Sequence, residues 1–195
     1  MVSAGASRAT ASRDAAPGEP VTSDATPAGT VALAVAGSTP DPELPMLTVA
    51  DLGILRAVHV TDEGVTVTIT PTYSGCPAMR EISADISRRL ARAGFGRVTV
   101  KTQLAPPWSS DWITAEGRRK LAAAGIAPPS PAPRRAGPVP LTLTSSPTLG
   151  GPPAPSCPRC GSPLTRRTAQ FSSTACKSLY RCDACDEPFE AVKPL

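Results

Sequence analysis

Histidine is nearly absent from this chain of 195 residues: His59 is the only one. A site built on several imidazoles, such as the Glu-x-x-His pairs of a di-iron oxygenase, is therefore excluded. No glycine-rich nucleotide loop is present either. Aromatic residues make up only 4%. No apolar run reaches the roughly 18 residues that a membrane-spanning helix needs. The chain does not open on a basic region followed by an apolar core, so no secretory leader is expected. The net charge of +4 is too mild to imply nucleic acid by itself. What is plentiful is Ala, with 30 copies, alongside 24 Pro and 15 Gly. Alanine inflates the hydrophobic fraction of 41%, so the foldable core is smaller than the length suggests. Cysteine is the other marked feature: there are six, five of them in the last 39 residues. In the absence of a leader, that clustering reads as metal ligation rather than disulfides.

Composition divides the chain into four parts. Residues 1–28 hold almost nothing large and apolar, and read as a disordered tail. Between Pro128 and Pro155 there are ten prolines, which reads as a semi-rigid linker over 128–155. The segments that can fold are 29–127 and 156–195. In the first, Thr30 to Ala36 reads as a weak, Ala-rich helix. Ile54 to Val60 reads as a strand, and Asp62-Glu63-Gly64 signals a hairpin. Val65, Val67 and Ile69 alternate with threonines, the period of a half-buried strand. Met79, Ile82, Ile86 and Leu90 step by three and four along a helix over Pro77 to Ala93. Val98 and Val100 mark a third strand, and Thr114 to Ala124 a last helix. The order α-β-β-α-β-α predicts an α+β domain, a three-stranded sheet covered on one face by helices, followed by a separate zinc ribbon.

The ribbon rests on two C-x-x-C pairs, Cys157 with Cys160 and Cys182 with Cys185, separated by 21 residues. Two such knuckles present four thiolates to one tetrahedral ion. Few large apolar groups lie in this stretch, so a metal is expected to supply the missing folding free energy. A rubredoxin-like iron site has the same ligands and stands as the alternative. Cys176 is the spare thiol, read either as a small buried residue or as an auxiliary thiol that contacts a transient metal or cluster.

Cys76 is a different case. Pro77 is well placed as the first helical residue, which puts Cys76 at the N-cap. Amide groups and the helix dipole there favour a thiolate, so a lowered pKa is expected. Gly75 permits close approach of another molecule, and the hydroxyls of Thr72 and Ser74 can donate to the sulfur. A reactive or metal-handling thiol is one reading; a buried structural cysteine is the other. His59 reads as an exposed strand residue. Asp41 and Glu43 flank Pro42, either as turn-forming acids or as hard oxygen ligands beside a soft sulfur.

These residues also carry a resemblance. Asp41-Pro42-Glu43, Asp51-Leu52-Gly53-Ile54 and the string from Ile69 to Met79 around Cys76 resemble the SufT-like family of iron–sulfur assembly proteins. Ala105-Pro106-Pro107-Trp108-Ser109-Ser110-Asp111-Trp112-Ile113, together with Cys176-Lys177-Ser178-Leu179-Tyr180-Arg181-Cys182, is similar to the ribbon-bearing branch encoded with the phenylacetyl-CoA epoxidase. The resemblance covers roughly 30–127 and 156–195. It implies a cytoplasmic accessory or maturation subunit of that ring 1,2-oxygenase in phenylacetate catabolism, not catalytic by itself. The implied cofactors are a structural Zn2+ in the ribbon and a transient Fe or Fe–S cluster at Cys76, with Asp41, Glu43 and Thr72 beside it. The implied partners are other epoxidase subunits, the di-iron oxygenase or the 2Fe–2S reductase, with neither nucleic acid nor membrane. The alternative is a non-catalytic structural subunit of the oxygenase complex. A zinc-ribbon nucleic-acid binder is disfavoured, because the ribbon carries six Lys/Arg against four Asp/Glu and few aromatics for stacking.

Overall fold

A computed structural model describes residues 21–132 and 153–195. Strand β1 (Thr22–Ser23) runs parallel to β2 (Leu55–Thr61), with Thr22 opposite Ala57. Asp24 seals this edge: its carboxylate accepts the Val60 amide at 2.6 Å and lies 3.1 Å from Nδ1 of His59. Helix α1 (Pro27–Gly37) follows at once. Thr26 caps it by accepting the Gly29 amide, and Pro27 occupies the first turn, where its missing N–H costs nothing. Residues 21–28 are therefore ordered, against the expectation that they belong to a disordered tail. The cap and the parallel pairing supply what composition alone does not reveal. The rest of that expected tail, 1–20, lies outside the described residues.

β2 and β3 (Gly64–Ile69) form the expected hairpin, and β4 (Val98–Thr102) adds in parallel to β3. The sheet order is β1-β2-β3-β4, four strands rather than the three expected. Val65, Val67 and Ile69 are buried and the intervening threonines are not, so one face of β3 meets the core. Ile82, Ile86 and Leu90 of α2 (Ala78–Arg92) pack into that same core, each contributing about 1.5–3 kcal/mol by burial.

The turn before β2 is gripped by the segment after β4. Gly53 has φ +68°, and a side chain there would meet Trp112. The Trp108 indole N–H donates to the Leu52 carbonyl at 2.9 Å. Helix α3 (Ala115–Ala123), capped by Thr114, brings Lys120 within 2.7 Å of the Asp51 carboxylate. The Arg56 guanidinium lies 3.8 Å from the Trp112 ring centre. The Asp51-to-Ile54 and Trp108-to-Ile113 strings are thus two halves of one packed joint.

The ribbon holds β6 (Thr165–Ala169), β7 (Lys177–Cys182) and β8 (Pro188–Val192), all antiparallel neighbours. It is not a separate unit. β5 (Ile126–Ala127), the last strand of the first segment, pairs in parallel with β8, giving the order β5-β8-β7-β6. Val192 enters the first segment's core, and the Leu195 carbonyl accepts the Ser110 amide at 3.0 Å. An unpaired β8 edge and an exposed Val192 would be costly, and docking removes both. Most of the expected 128–155 linker lies outside the described residues. Its start is held, with Arg118 donating to the Pro129 carbonyl at 2.7 Å.

Candidate metal centres

The ribbon brings Cys157, Cys160, Cys182 and Cys185 together, with all four sulfurs within 4.8 Å of one another. Cys157 and Cys185 are 3.8 Å apart, Cys160 and Cys182 3.6 Å. A tetrahedron with metal–sulfur bonds of ~2.3 Å has edges of about 3.8 Å, which these two separations match. The turns aim amides inward. Burial opposes the Cys182 thiolate, yet the N–H groups of Cys185 and Ala184 bring its pKa down to about 7. The apolar support is slight: Tyr180 stacks on Phe189 at 5.7 Å, beside Ala127 and Ala191. Soft donors, tetrahedral spacing and a thin core fit a structural zinc, whose binding would contribute directly to folding.

The second group lies at the start of α2. Cys76 is half-buried and its amide donates to the Tyr73 carbonyl at 3.1 Å. The cap position falls on Pro77, which already has helical dihedrals and makes no side-chain cap bond. Burial pushes the Cys76 thiol up, and the Glu43 and Asp41 carboxylates and the Cys176 thiol push it the same way, with only the Ala78 amide opposing. The expected lowering of this pKa is thus reversed: one helix-end amide is outweighed by desolvation and neighbouring anionic groups.

Asp41 is only 7% exposed, and its Oδ1 accepts the Glu43 and Leu44 amides, each at 2.8 Å. Burial raises its pKa, while those amides and the Lys177 ammonium pull it down. Glu43 is raised by burial and by Asp41. The Tyr73 hydroxyl is raised chiefly by burial and next by the Cys76 thiol. Cys176, 8% exposed just before β7, lies 3.1 Å from the Thr174 hydroxyl, and burial raises its thiol too. Asp41, Glu43 and Cys176 thus act on the Cys76 thiol through charge, but among the described residues only the four ribbon cysteines form a group that could hold a metal ion. Thr72 instead lines an adjoining cavity of about 240 Å³ with Tyr73, Pro107 and Trp108. His59 faces Asp24, on an exposed strand position. Sequence reasoning missed Tyr73 and Lys177 as members of this group. Their adjacency in sequence to the Cys76 loop and to Cys176 was the available signal. Among the described residues, no helix is long and apolar enough to cross a membrane.

A small mixed sheet with a thiol at the start of its second helix, joined to a four-cysteine ribbon, defines an iron–sulfur-assembly type of domain fused to a zinc ribbon. Residues 33–102 match the family model described as iron–sulfur cluster assembly protein, and residues 143–193 that of the PaaD zinc beta ribbon domain. An Escherichia coli (strain K12) chain, named as one of the subunits of 1,2-phenylacetyl-CoA epoxidase, is 42% identical over 160 residues, 82% of this chain and 89% of its own length. The chain belongs to the PaaD family. A Porphyromonas gingivalis chain described as an Fe–S protein maturation auxiliary factor is 35% identical over 83 residues, 42% of this chain and 78% of that one. Among solved structures, a Bacillus anthracis domain of unknown function (DUF59) is 24% identical with a TM-score of 0.45, covering 47% of this chain and 89% of its own. A Mycobacterium tuberculosis protein described as associated with Fe–S complex assembly and repair is 32% identical with a TM-score of 0.28, covering 50% of this chain and 83% of its own.

Proposed function

We propose that this protein is a cytoplasmic maturation subunit of a phenylacetyl-CoA epoxidase system, which hands iron or an iron–sulfur cluster to another subunit of that complex. The observation that carries the reading is the half-buried, unpaired Cys76 thiol at the start of α2, a soft donor whose ionisation the Asp41 and Glu43 carboxylates oppose. The name of the Escherichia coli relative supports the epoxidase context, and that of the Porphyromonas gingivalis relative the maturation role. The client in this reading is the di-iron oxygenase or the 2Fe–2S reductase. Cys157, Cys160, Cys182 and Cys185 hold a structural zinc, which brings no chemistry of its own to the cargo.

The raised Cys76 thiol suits a carrier. It is protonated when empty, so cargo must displace a proton on binding and a returning proton favours release. A resident site would be served better by a low thiol pKa. The half-burial of Cys76 against the first core favours a second reading, a non-catalytic structural subunit. Metal and sulfide analysis of protein purified without oxygen separates the two. About one zinc with substoichiometric iron and sulfide supports the carrier; zinc alone supports the structural subunit. The Cys76→Ser variant is expected to fold, keep its zinc and leave the epoxidase short of iron or cluster. Normal growth of that strain on phenylacetate with a fully metallated oxygenase would refute the carrier role.

A further inference from the structure

We propose that the open edge of β4, with the basic flank of α2 beside it, receives an extended acidic segment of another epoxidase subunit and so holds that subunit next to the Cys76 loop. The inference deepens the maturation reading and rests on it for the partner's identity. Its first support is the sheet edge. β4 is the last strand in the order β1-β2-β3-β4. The Arg97 carbonyl accepts the Val65 amide, and the Gln103 amide donates to the Ile69 carbonyl. Backbone groups alternate in direction along a strand, so residues 97, 99, 101 and 103 bond to β3. The amides and carbonyls of Val98, Val100 and Thr102 then face away from the sheet. Among the described residues no strand pairs with them. Such a row is a template for one more strand.

The second support is charge. Residues 78–102 form α2, β4 and the turn between them, and hold six Lys/Arg against two Asp/Glu. That surplus of four equals the net charge of the whole chain, so the remaining residues balance. α2 packs against β4, which keeps the surplus on one continuous surface. Arg88 and Arg89 are engaged by Asp85. Arg92, Arg97 and Lys101 are exposed, and among the described residues none of them forms an ion pair. Glu63 is the one acid lining the cleft that Arg97 and Thr99 share. A second copy of this chain would bring the same positive surface against itself, and Lys101 on the edge opposes such pairing. An acidic strand meets attraction instead.

The third support is location. β4 runs parallel to β3 with Thr102 opposite Ile69, so it ends where β3 leads into the Cys76 loop. Leu104, just beyond, is 58% exposed. It shares with Tyr73, Pro107 and Trp108 the cavity of about 240 Å³. An apolar side chain at the end of the acidic segment fits there, as the buried anchor that exposed charge pairs do not supply.

The test uses the full zinc-loaded chain and the purified di-iron oxygenase and 2Fe–2S reductase subunits, each titrated by calorimetry at low and high salt. One subunit should bind, more weakly as salt rises. Joint replacement Arg92→Glu, Arg97→Glu and Lys101→Glu should keep zinc and circular dichroism yet weaken that binding at least roughly tenfold. Unchanged affinity would overturn the inference and leave the maturation reading standing. Binding of neither subunit to the wild type would overturn both. Amide exchange on the wild-type complex covers a variant that does not fold. Val98, Val100 and Thr102 should exchange at least roughly tenfold more slowly than in the free chain, while Thr99 and Lys101, already bonded to β3, change little. Exchange at those three amides unaltered by the partner refutes strand addition. Protection that rises with the concentration of the free chain marks a second copy as the occupant. Salt-dependent binding of duplex DNA with no subunit bound marks nucleic acid. Either result refutes the inference.

Discussion

Ile126 and Glu190 stand opposite one another in parallel register, so the last strand of the assembly domain is also the edge strand of the ribbon sheet. Because Glu190 also binds Lys177 next to Cys176, one pairing links the domain junction to the start of β7.

Zinc removal should therefore be felt on both sides of that junction. A strong chelator is expected to unfold β6, β7 and β8, whose core is too thin to persist without metal. It should also release Val192 from the first core, costing that unit about 1–2 kcal/mol. Trp108 and Trp112, buried near the Leu195 contact with Ser110, report this as a red-shifted emission with a lower urea midpoint. Ribbon amide resonances that stay dispersed after complete metal removal would contradict the prediction.

The two cysteines outside the zinc knuckles, Cys76 and Cys176, should react slowly at neutral pH. Cys76 and Cys176 both titrate above the ordinary cysteine range, so their thiolate fraction at pH 7 is below that of an unfolded thiol. Iodoacetamide labelling followed by mass spectrometry should show rates that climb through pH 9 and beyond. The linked stability has the matching sign: a raised folded pKa adds stability that is full below the unfolded value of about 8.5 and is lost as pH rises above it. Labelling of Cys76 at pH 7 faster than in the unfolded chain would show that the helix start dominates after all.

Acid should loosen the ribbon at Glu190. Burial works against this carboxylate, but Lys177, Ser172 and Ser173 hold it down to about 2. A depressed pKa adds stability that is present above the unfolded value of about 4.3 and is lost as pH falls toward 2. Glu190→Gln should flatten the pH dependence of unfolding in that window, read by circular dichroism on the zinc-loaded protein at the upper end, before acid strips the metal. An identical acid profile in the variant would remove Glu190 from the account.

Gly53→Ala should be severely destabilising. Its φ of +68° is unfavourable for any side chain, and an added Cβ would stand 2.6 Å from both the Trp112 Cβ and its carbonyl oxygen. The expected loss is about 2 kcal/mol or more, seen as a lower urea midpoint by tryptophan fluorescence. A midpoint within error of wild type would mean that the 51–54 turn and the 108–113 segment are not packed as described.

The features legible in the residues alone are local ones. The alternation Val65, Val67, Ile69 sets which face of β3 is buried, because side chains alternate along any strand. The spacing Ile82, Ile86, Leu90 sets the inner face of α2 for the corresponding helical reason. The C-x-x-C pairs specify a four-thiol site because each knuckle is built within a few residues. Other features exist only through partners far along the chain. β1 is a strand because Ala57 and Val58 lie beside it, and Ile126-Ala127 is one because β8 offers an edge. The Cys76 thiol is raised rather than lowered because folding buries it and brings the charges of Glu43, Asp41 and Cys176 to bear on it. Separation in sequence carries no record of those neighbours, and the desolvation that reverses the helix-end effect exists only once Cys76 packs against the folded core.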